Sequence, residues 1–500
     1  MSNVNRVHIE LQRVQTWLFA VPRLRAMVGA NAMIGETLRI ALPELARRQE
    51  SGWTLAPIHE AFPAADPDDP LSEYDDPAAD ARDGIISRDG GHFEAQFSGG
   101  AVAFADAAAD LIRSKLPGIP FRVTIDNEER KIGGVLLPRE LPVLAPCEWS
   151  GRGLASAIVS QGEDKAYVSL DVEQRHAAAS RTRNGLAVDI ASLLGGTTKL
   201  GKCERATELK ALVGERYLAI IHADGNGVGS GAGKGDSERA EFFHRNRVLL
   251  RRAVKMAIDS HCPDGGKAPL IPLMLGGDDL LLLSRAEVAL PFVVSLCKEL
   301  ESLQQERTGF KLTLGVGVVI AKHTVPIHRL HEVAEQLTGS AKRRFRGFRA
   351  DRNKRSVVDW AVFSSAWADD PVEARMRDWL RGSGDNLRVL SQRPVDVLGQ
   401  GLDSLQGLVD GALKLGAAPR SPLRYLIDQL PRGRQLSELA FQELPKGAEL
   451  PLKDAGVTDL WRSVGKTHIT SLLDLVEISE IARLGRTPDP GQGVEEAPNG

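Results

Sequence analysis

The chain has 500 residues, 42% hydrophobic and 26% charged, an ordinary balance for globular domains and too long for one core. Its 63 basic against 66 acidic residues leave a formal charge of −3, which excludes coating of nucleic acid by bulk charge and leaves room only for local basic patches. No apolar run approaches the roughly 18–20 residues that a membrane span needs, so no membrane association is expected.

From the N-terminus, Met1–Arg6 reaches charge before any signal-like apolar stretch forms. Val7, Ile9 and Leu11 alternate as a strand, and Val14–Ala46 carries one or two helices. Phe93–Phe97 and Ala101–Ala105 read as a hairpin around Ser98-Gly99-Gly100, followed by a helix at Ala107–Leu116 and a strand at Phe121–Ile125. The order is β-α-β-β-α-β over residues 1–140, with an acidic insertion near 64–89 expected to be a solvated, mobile loop. Residues 141–210 form a connecting region of weak periodicity.

The order then repeats over 211–365. Arg216–Ala223 is a nearly continuous apolar run, the pattern of a strand buried on both faces. Ser237–Ser260 is helical, Pro269–Leu275 and Leu280–Ser284 flank the turn Gly276-Gly277-Asp278-Asp279, Glu287–Gln305 is helical, and Leu312–Ile320 alternates as a strand. Beyond 366 the spacing turns helical at Val372–Leu380, Val395–Lys414, Arg424–Gln429 and Thr467–Ala482, a helical C-terminal domain over 366–487. The tail 488–500, rich in Pro, Gly and Glu, is expected to be disordered. The fold class is therefore α+β, two ferredoxin-like palm domains with a helical connecting region and a helical C-terminal domain. Four scattered cysteines (Cys147, Cys203, Cys262, Cys297), with no CxxC pair, fit a reducing cytoplasm and no zinc.

The acids distinguish the two copies. In the second, the first strand ends at Asp224-Gly225-Asn226-Gly227 and the hairpin turns at Gly276-Gly277-Asp278-Asp279. First and third strands of this topology are neighbours, which brings Asp224 beside Asp278 and Asp279. Three carboxylates on one rim repel unless cations neutralise them, and hard oxygen ligands suit two Mg²⁺ or Mn²⁺ ions that also bind substrate phosphates. Gly225, Gly227, Gly276 and Gly277 would let a triphosphate approach the backbone. Each turn alone is an ordinary turn former; their convergence argues for a site. The first copy shows Gln12-Arg13 and Ser98-Gly99-Gly100 in the corresponding places, glycines without acids, and reads as a degenerate palm. His222, two residues before Asp224, is expected to be a packed strand histidine. Gly231–Gly235 lacks phosphate-loop spacing and reads as a turn. Lys342–Arg355 holds eight basic residues in fourteen, so Lys342, with Arg343 or Arg346, is a candidate for phosphate contact and the remainder for RNA or a partner.

The segments YLAIIHADGNGVG (217–229), PLMLGGDDLLLL (272–283), LTLGVGVVIAKHTVPIHRL (312–330) and AEQLTGSAKRR (334–344) resemble the polymerase-like large subunit of type III CRISPR (Csm/Cmr) effector complexes. VQTWLFAVPRLRAMVGANAMIGETL (14–38) and ITSLLDLVEISEIARL (469–484) are similar to its opening palm and last helical domain, and GGDEF-type nucleotidyl cyclases share the sheet. The resemblance implies an enzyme that joins ATP into cyclic oligoadenylate messengers for antiviral defence, with guide or target RNA and CRISPR backbone subunits as partners. It implies metal binding by Asp224, Asp278 and Asp279, nucleotide contact at Gly276 and Gly277, and a triphosphate lysine at Lys342. Asn226 stands where relatives carry a further Asp, which implies hydrogen bonding to sugar or phosphate. No His-Asp dipeptide occurs, so no HD nuclease is expected. Two other readings stand beside this one: a nucleotide-binding scaffold of an RNA-guided complex without turnover, and a stand-alone cyclic-dinucleotide synthase. Homo-oligomerisation is open under each.

Overall fold

The computed structural model describes residues 4–48, 52–58, 68–71, 82–130, 145–161, 164–183, 189–214, 216–231, 236–306, 309–347, 355–363 and 371–485. The tail 488–500, most of the turn expected at 231–235 and the basic stretch 348–354 lie outside them.

The first sheet is built on β1 (Asn5–Leu11), followed by α1 (Val14–Leu18) and α2 (Leu24–Glu36). β2 (Ile85–Ser87) and β3 (His92–Gly99) make the hairpin, and α3 (Ala101–Lys115) leads to β4 (Phe121–Ile125). β1 lies between β3 and β4, antiparallel to both. This corrects the expected hairpin. Ala101–Ala105 is helical: Gly100 takes the left-handed conformation (φ 73) before α3, and Phe104, Ala105, Ala108 and Ile112 bury at helical spacing. The turn is Arg88–Gly91 instead, with Arg88 and Asp89 buried. Within the described part of the acidic insertion Asp69, Leu71 and Asp89 are buried, while Asp68, Arg82 and Asp83 are exposed.

The connecting region holds a two-stranded hairpin, β5 (Ala157–Gln161) with β6 (Asp164–Val168), then α4 (Leu170–Arg183) against α2, and α5 (Ile190–Thr197).

The second sheet repeats the order. β7 (Tyr217–Gly225), α6 (Asp236–His261), β8 (Leu270–Gly276), β9 (Asp279–Arg285), α7 (Ala286–Ser302), β10 (Leu314–Lys322) and α8 (Ile327–Gly347) follow one another. The strands lie in the order β8-β9-β7-β10, extended by β11 (Val357–Phe363), parallel to β10, and by the short Val395–Asp396. β7 is apolar throughout because both faces are covered. Ala219, Ile221 and Ala223 enter the core beneath α6 and α7; Leu218 and Ile220 enter the other core, shared with α1, α2 and α8. Gly317 lets α8 lie directly on β10, since a Cβ there would stand 2.6 Å from Thr338 N.

The C-terminal region is mainly helical: α9 (Pro371–Trp379), α10 (Leu405–Lys414), α11 (Arg420–Gln429), α12 (Arg434–Gln442), α13 (Lys446–Asp454) and α14 (Leu472–Arg483). Two expected helices begin too early. Val395–Asp396 and Thr467–Ile469 are strands, the latter in a four-stranded sheet of Leu380–Arg381, Leu387–Val389, Thr467–Ile469 and Arg462–Val464. Among the described residues no helix is long and apolar enough to cross a membrane.

Candidate active site

β7 is antiparallel to β9 and β10, with Ala223 opposite Leu280 and Asp224 opposite Gly315. One step beyond the Ala223–Leu280 pair, the register sets Asp279 against Asp224. Both follow the parity of Leu218 and Leu281, so both side chains lie on the face away from α6 and α7. Asp278 fills the space over Gly225, where a Cβ would stand 2.7 Å from Asp278 Cβ. The sheet therefore gathers Asp224, Asp278 and Asp279 at one rim.

Their proximity shows in their acidities. Burial, and then the charge of Asp224, push the Asp278 carboxyl up to about 6. Burial and the two neighbouring carboxylates hold Asp279 well above the ordinary range, while Lys342 pulls the other way. Glu335, on α8, adds to the negative field at Asp279.

Lys342 reaches the rim from α8. Its stem crosses Gly315, where a Cβ would be 2.7 Å from Lys342 Cγ, and its ammonium pairs with Asp224 Oδ2. Gly315 is thus a site residue that the strand reading passed over; its trace is the G-V-G alternation at 315–317. Arg343, by contrast, is exposed with its guanidinium beside Gly339 and forms no ion pair with the three acids. Arg344 and Arg355 face Asp396 at 3.8 and 3.4 Å.

Asn226 is buried. Its backbone N–H donates to Thr313 O at 2.8 Å and its Nδ2 to Thr313 Oγ1 at 3.2 Å. Its Oδ1 has no partner and lies on the Gly315 side, so the amide offers the site an acceptor, not a donor. Gly227 and Gly277 take left-handed conformations (φ 69 and 61) that turn the chain. At Gly276 a Cβ would be 2.9 Å from Gly90 N, so its bareness admits the first sheet's turn. His222 is packed as expected. Its Nε2 lies 3.1 Å from Gln15 Nε2, its carbonyl accepts from Thr338 Oγ1 at 3.1 Å, and burial pushes the ring down to about 4.

The first sheet keeps more of this pattern than its sequence showed. Leu11 opposes Phe121 as Gly225 opposes Leu314, so Glu10 stands where Asp224 stands, and His92, paired with Glu10, where Asp279 stands. Glu10 is neutralised by Arg122 at 2.6 Å, and His92 stacks on His8.

Among the described residues no group of three His, Cys, Asp or Glu side chains is disposed as a ready metal cage. The donor set nevertheless fits a hard divalent cation, with clustered carboxylate oxygens and a partnerless amide oxygen, while the Lys342 ammonium, itself no ligand, supplies positive charge at Asp224. The four cysteines are buried and free.

A β-α-β-β-α-β sheet that presents carboxylates from its first strand and its hairpin turn is a palm. Residues 217–351 match the family described as "Cas10/Cmr2, second palm domain", which identifies this segment as a palm domain. Among solved structures, an apo Csm1–Csm4 cassette aligns at TM-score 0.48 and 12% identity, over 96% of this chain and 70% of that one. The cassette in complex with cA4 gives 0.46 at 12% identity, over 96% and 70%. Csm1 in T. onnurineus gives 0.45 at 13% identity, over 96% and 70%. No curated protein matches the chain.

Proposed function

We propose that this protein is a metal-dependent nucleotidyltransferase that joins ATP into cyclic oligoadenylate messengers, working with RNA and backbone subunits of a type III CRISPR complex. The observation that carries the reading is the convergence of Asp224, Asp278, Asp279 and Lys342 on one rim of a Cas10/Cmr2 palm. Asp224, Asp278 and Asp279 would hold two Mg²⁺ or Mn²⁺ ions. Such ions, when bound, activate an attacking hydroxyl and stabilise departing pyrophosphate. Within the chain, Lys342 leaves Asp224 to meet the triphosphate of ATP, and Asn226 Oδ1 accepts a hydrogen bond from a ribose hydroxyl. Asp278 must lose its proton before it can serve as a ligand. The first sheet, with the same strand order, is a degenerate palm in this reading and seats the acceptor nucleotide.

Labelled ATP with Mg²⁺ or Mn²⁺, with and without RNA, tests this directly. Pyrophosphate release and a cyclic adenylate seen by mass spectrometry are expected, and Asp278→Ala/Asp279→Ala should abolish both. ATP affinity without product under every RNA tried would favour the scaffold reading, which the ion pair already neutralising Asp224 makes physically reasonable.

A further inference from the structure

Two hairpin turns meet back to back at the seam between the sheets: Arg88–Gly91 from the first and Gly276–Asp279 from the second. With Gly90 against Gly276, no side chain separates the two backbones. The charge behind them is ordered. Asp89, buried, accepts from Arg39 Nε at 2.8 Å through Oδ1. Its Oδ2 faces Arg247 Nη1 at 2.9 Å and Arg251 Nη2 at 3.4 Å, both on α6, and Arg251 Nη1 also holds Asp69 at 3.0 Å.

Arg39 has a second arm. Its Nη2 donates at 3.0 Å to the carbonyl of Leu275, the residue before Gly276. β8 is the edge strand of its sheet, so its outward carbonyls need partners from elsewhere, and Arg39 supplies one. One guanidinium therefore spans the seam, with one bond to the first domain's turn and one to the backbone entering the acidic turn. Arg39 stands in the π-helical segment Thr37–Ala41, and its own carbonyl accepts from Arg88 Nη1 at 2.6 Å. Such π segments are rare and recur at functional positions.

We infer that Arg39 is a positioning residue: anchored by Asp89, it holds the Gly276–Asp279 turn through the Leu275 carbonyl, so the first domain sets where Asp278 and Asp279 stand. The inference rests on the reading of those acids as the site, but not on what the site makes. A fork is required, because lysine can meet Asp89 or the carbonyl but cannot reproduce both bonds in one plane.

Hydrogen–deuterium exchange on the full chain tests it without reference to turnover. In Arg39→Ala, peptides covering 273–281 should exchange about tenfold faster, the loss of one charge-assisted hydrogen bond, with α7 and β10 unchanged. Mn²⁺ affinity measured without nucleotide should fall with it. Should Arg39→Ala loosen the whole fold, the milder Arg39→Lys decides: the turn should still exchange faster while the rest of the protein stays protected. Unchanged exchange at 273–281 in a folded Arg39 variant overturns the inference, and leaves nucleotidyl transfer standing. Faster exchange in a chain that never turns over ATP would support the tether and sink the enzyme reading instead.

Discussion

Asp278 bears the cost of crowding three carboxylates. Burial and Asp224 raise its folded pKa to about 6. A raised folded pKa means that the stabilising contribution is full below the unfolded value and is lost as pH rises through 6. At pH 7.5 the ionised cluster therefore strains the fold by on the order of 2–3 kcal/mol. Asp278→Asn should melt higher than the parent at pH 7.5 and no higher at pH 3.5, while losing Mn²⁺ binding. For the parent, Mn²⁺ affinity in calorimetric titrations should climb between pH 5 and 7. Lys342 yields a second expectation. Its ammonium competes with a divalent ion for Asp224, so Lys342→Met should bind Mn²⁺ several-fold more tightly without nucleotide, yet bind ATP more weakly. A fall in Mn²⁺ affinity would show that the lysine assists the ion instead of standing in for it.

At the scale of elements, Gly315 and Gly317 lie two apart on β10, on the face that α8 covers. A Cβ at 317 clashes with the α8 backbone, while one at 315 crowds the flexible Lys342 stem and Asn226 Oδ1 and meets the α8 backbone at an ordinary 3.5 Å. Gly317→Ala should therefore lose about 1–3 kcal/mol in urea unfolding. Gly315→Ala should leave stability nearly intact and disturb Lys342, seen as loss of ATP affinity. The strand was legible from the alternation of Leu312, Leu314, Val316 and Val318. The two glycines left only the G-V-G alternation as a trace, and its meaning was hidden because only the helix laid across them requires their bareness. The opposite error befell Ala101–Ala105. Ser98-Gly99-Gly100 resembles a hairpin turn, and the helical spacing of Phe104, Ala108 and Ile112 was the better guide.

At the scale of the molecule, the second sheet is tied to the C-terminal helices by buried charge. Arg393 pairs with Asp474 at 2.8 Å and Glu477 at 2.7 Å, and Glu477 also accepts from Trp360 Nε1 at 2.8 Å on β11. Asp474→Ala leaves the buried Arg393 guanidinium short of a counter-charge, a loss of about 3–5 kcal/mol. Calorimetry should show the C-terminal region melting earlier and separately from the palm. A single unshifted transition would mean that the apolar contacts between α7, α10 and α14 suffice.

From the sequence alone came the two β-α-β-β-α-β copies, the gathering of Asp224 with Asp278 and Asp279, and the packed state of His222. These follow from strand periodicity and sheet topology, which local residues encode. Tertiary structure decided the rest: the first turn at Arg88–Gly91, Glu10 standing in register with Asp224, Gly276 bared for Gly90, Lys342 on Asp224, and Arg39 across the seam. Each of these joins segments far apart in the chain, and long-range packing and charge pairing leave no periodic mark along the sequence by which to read them.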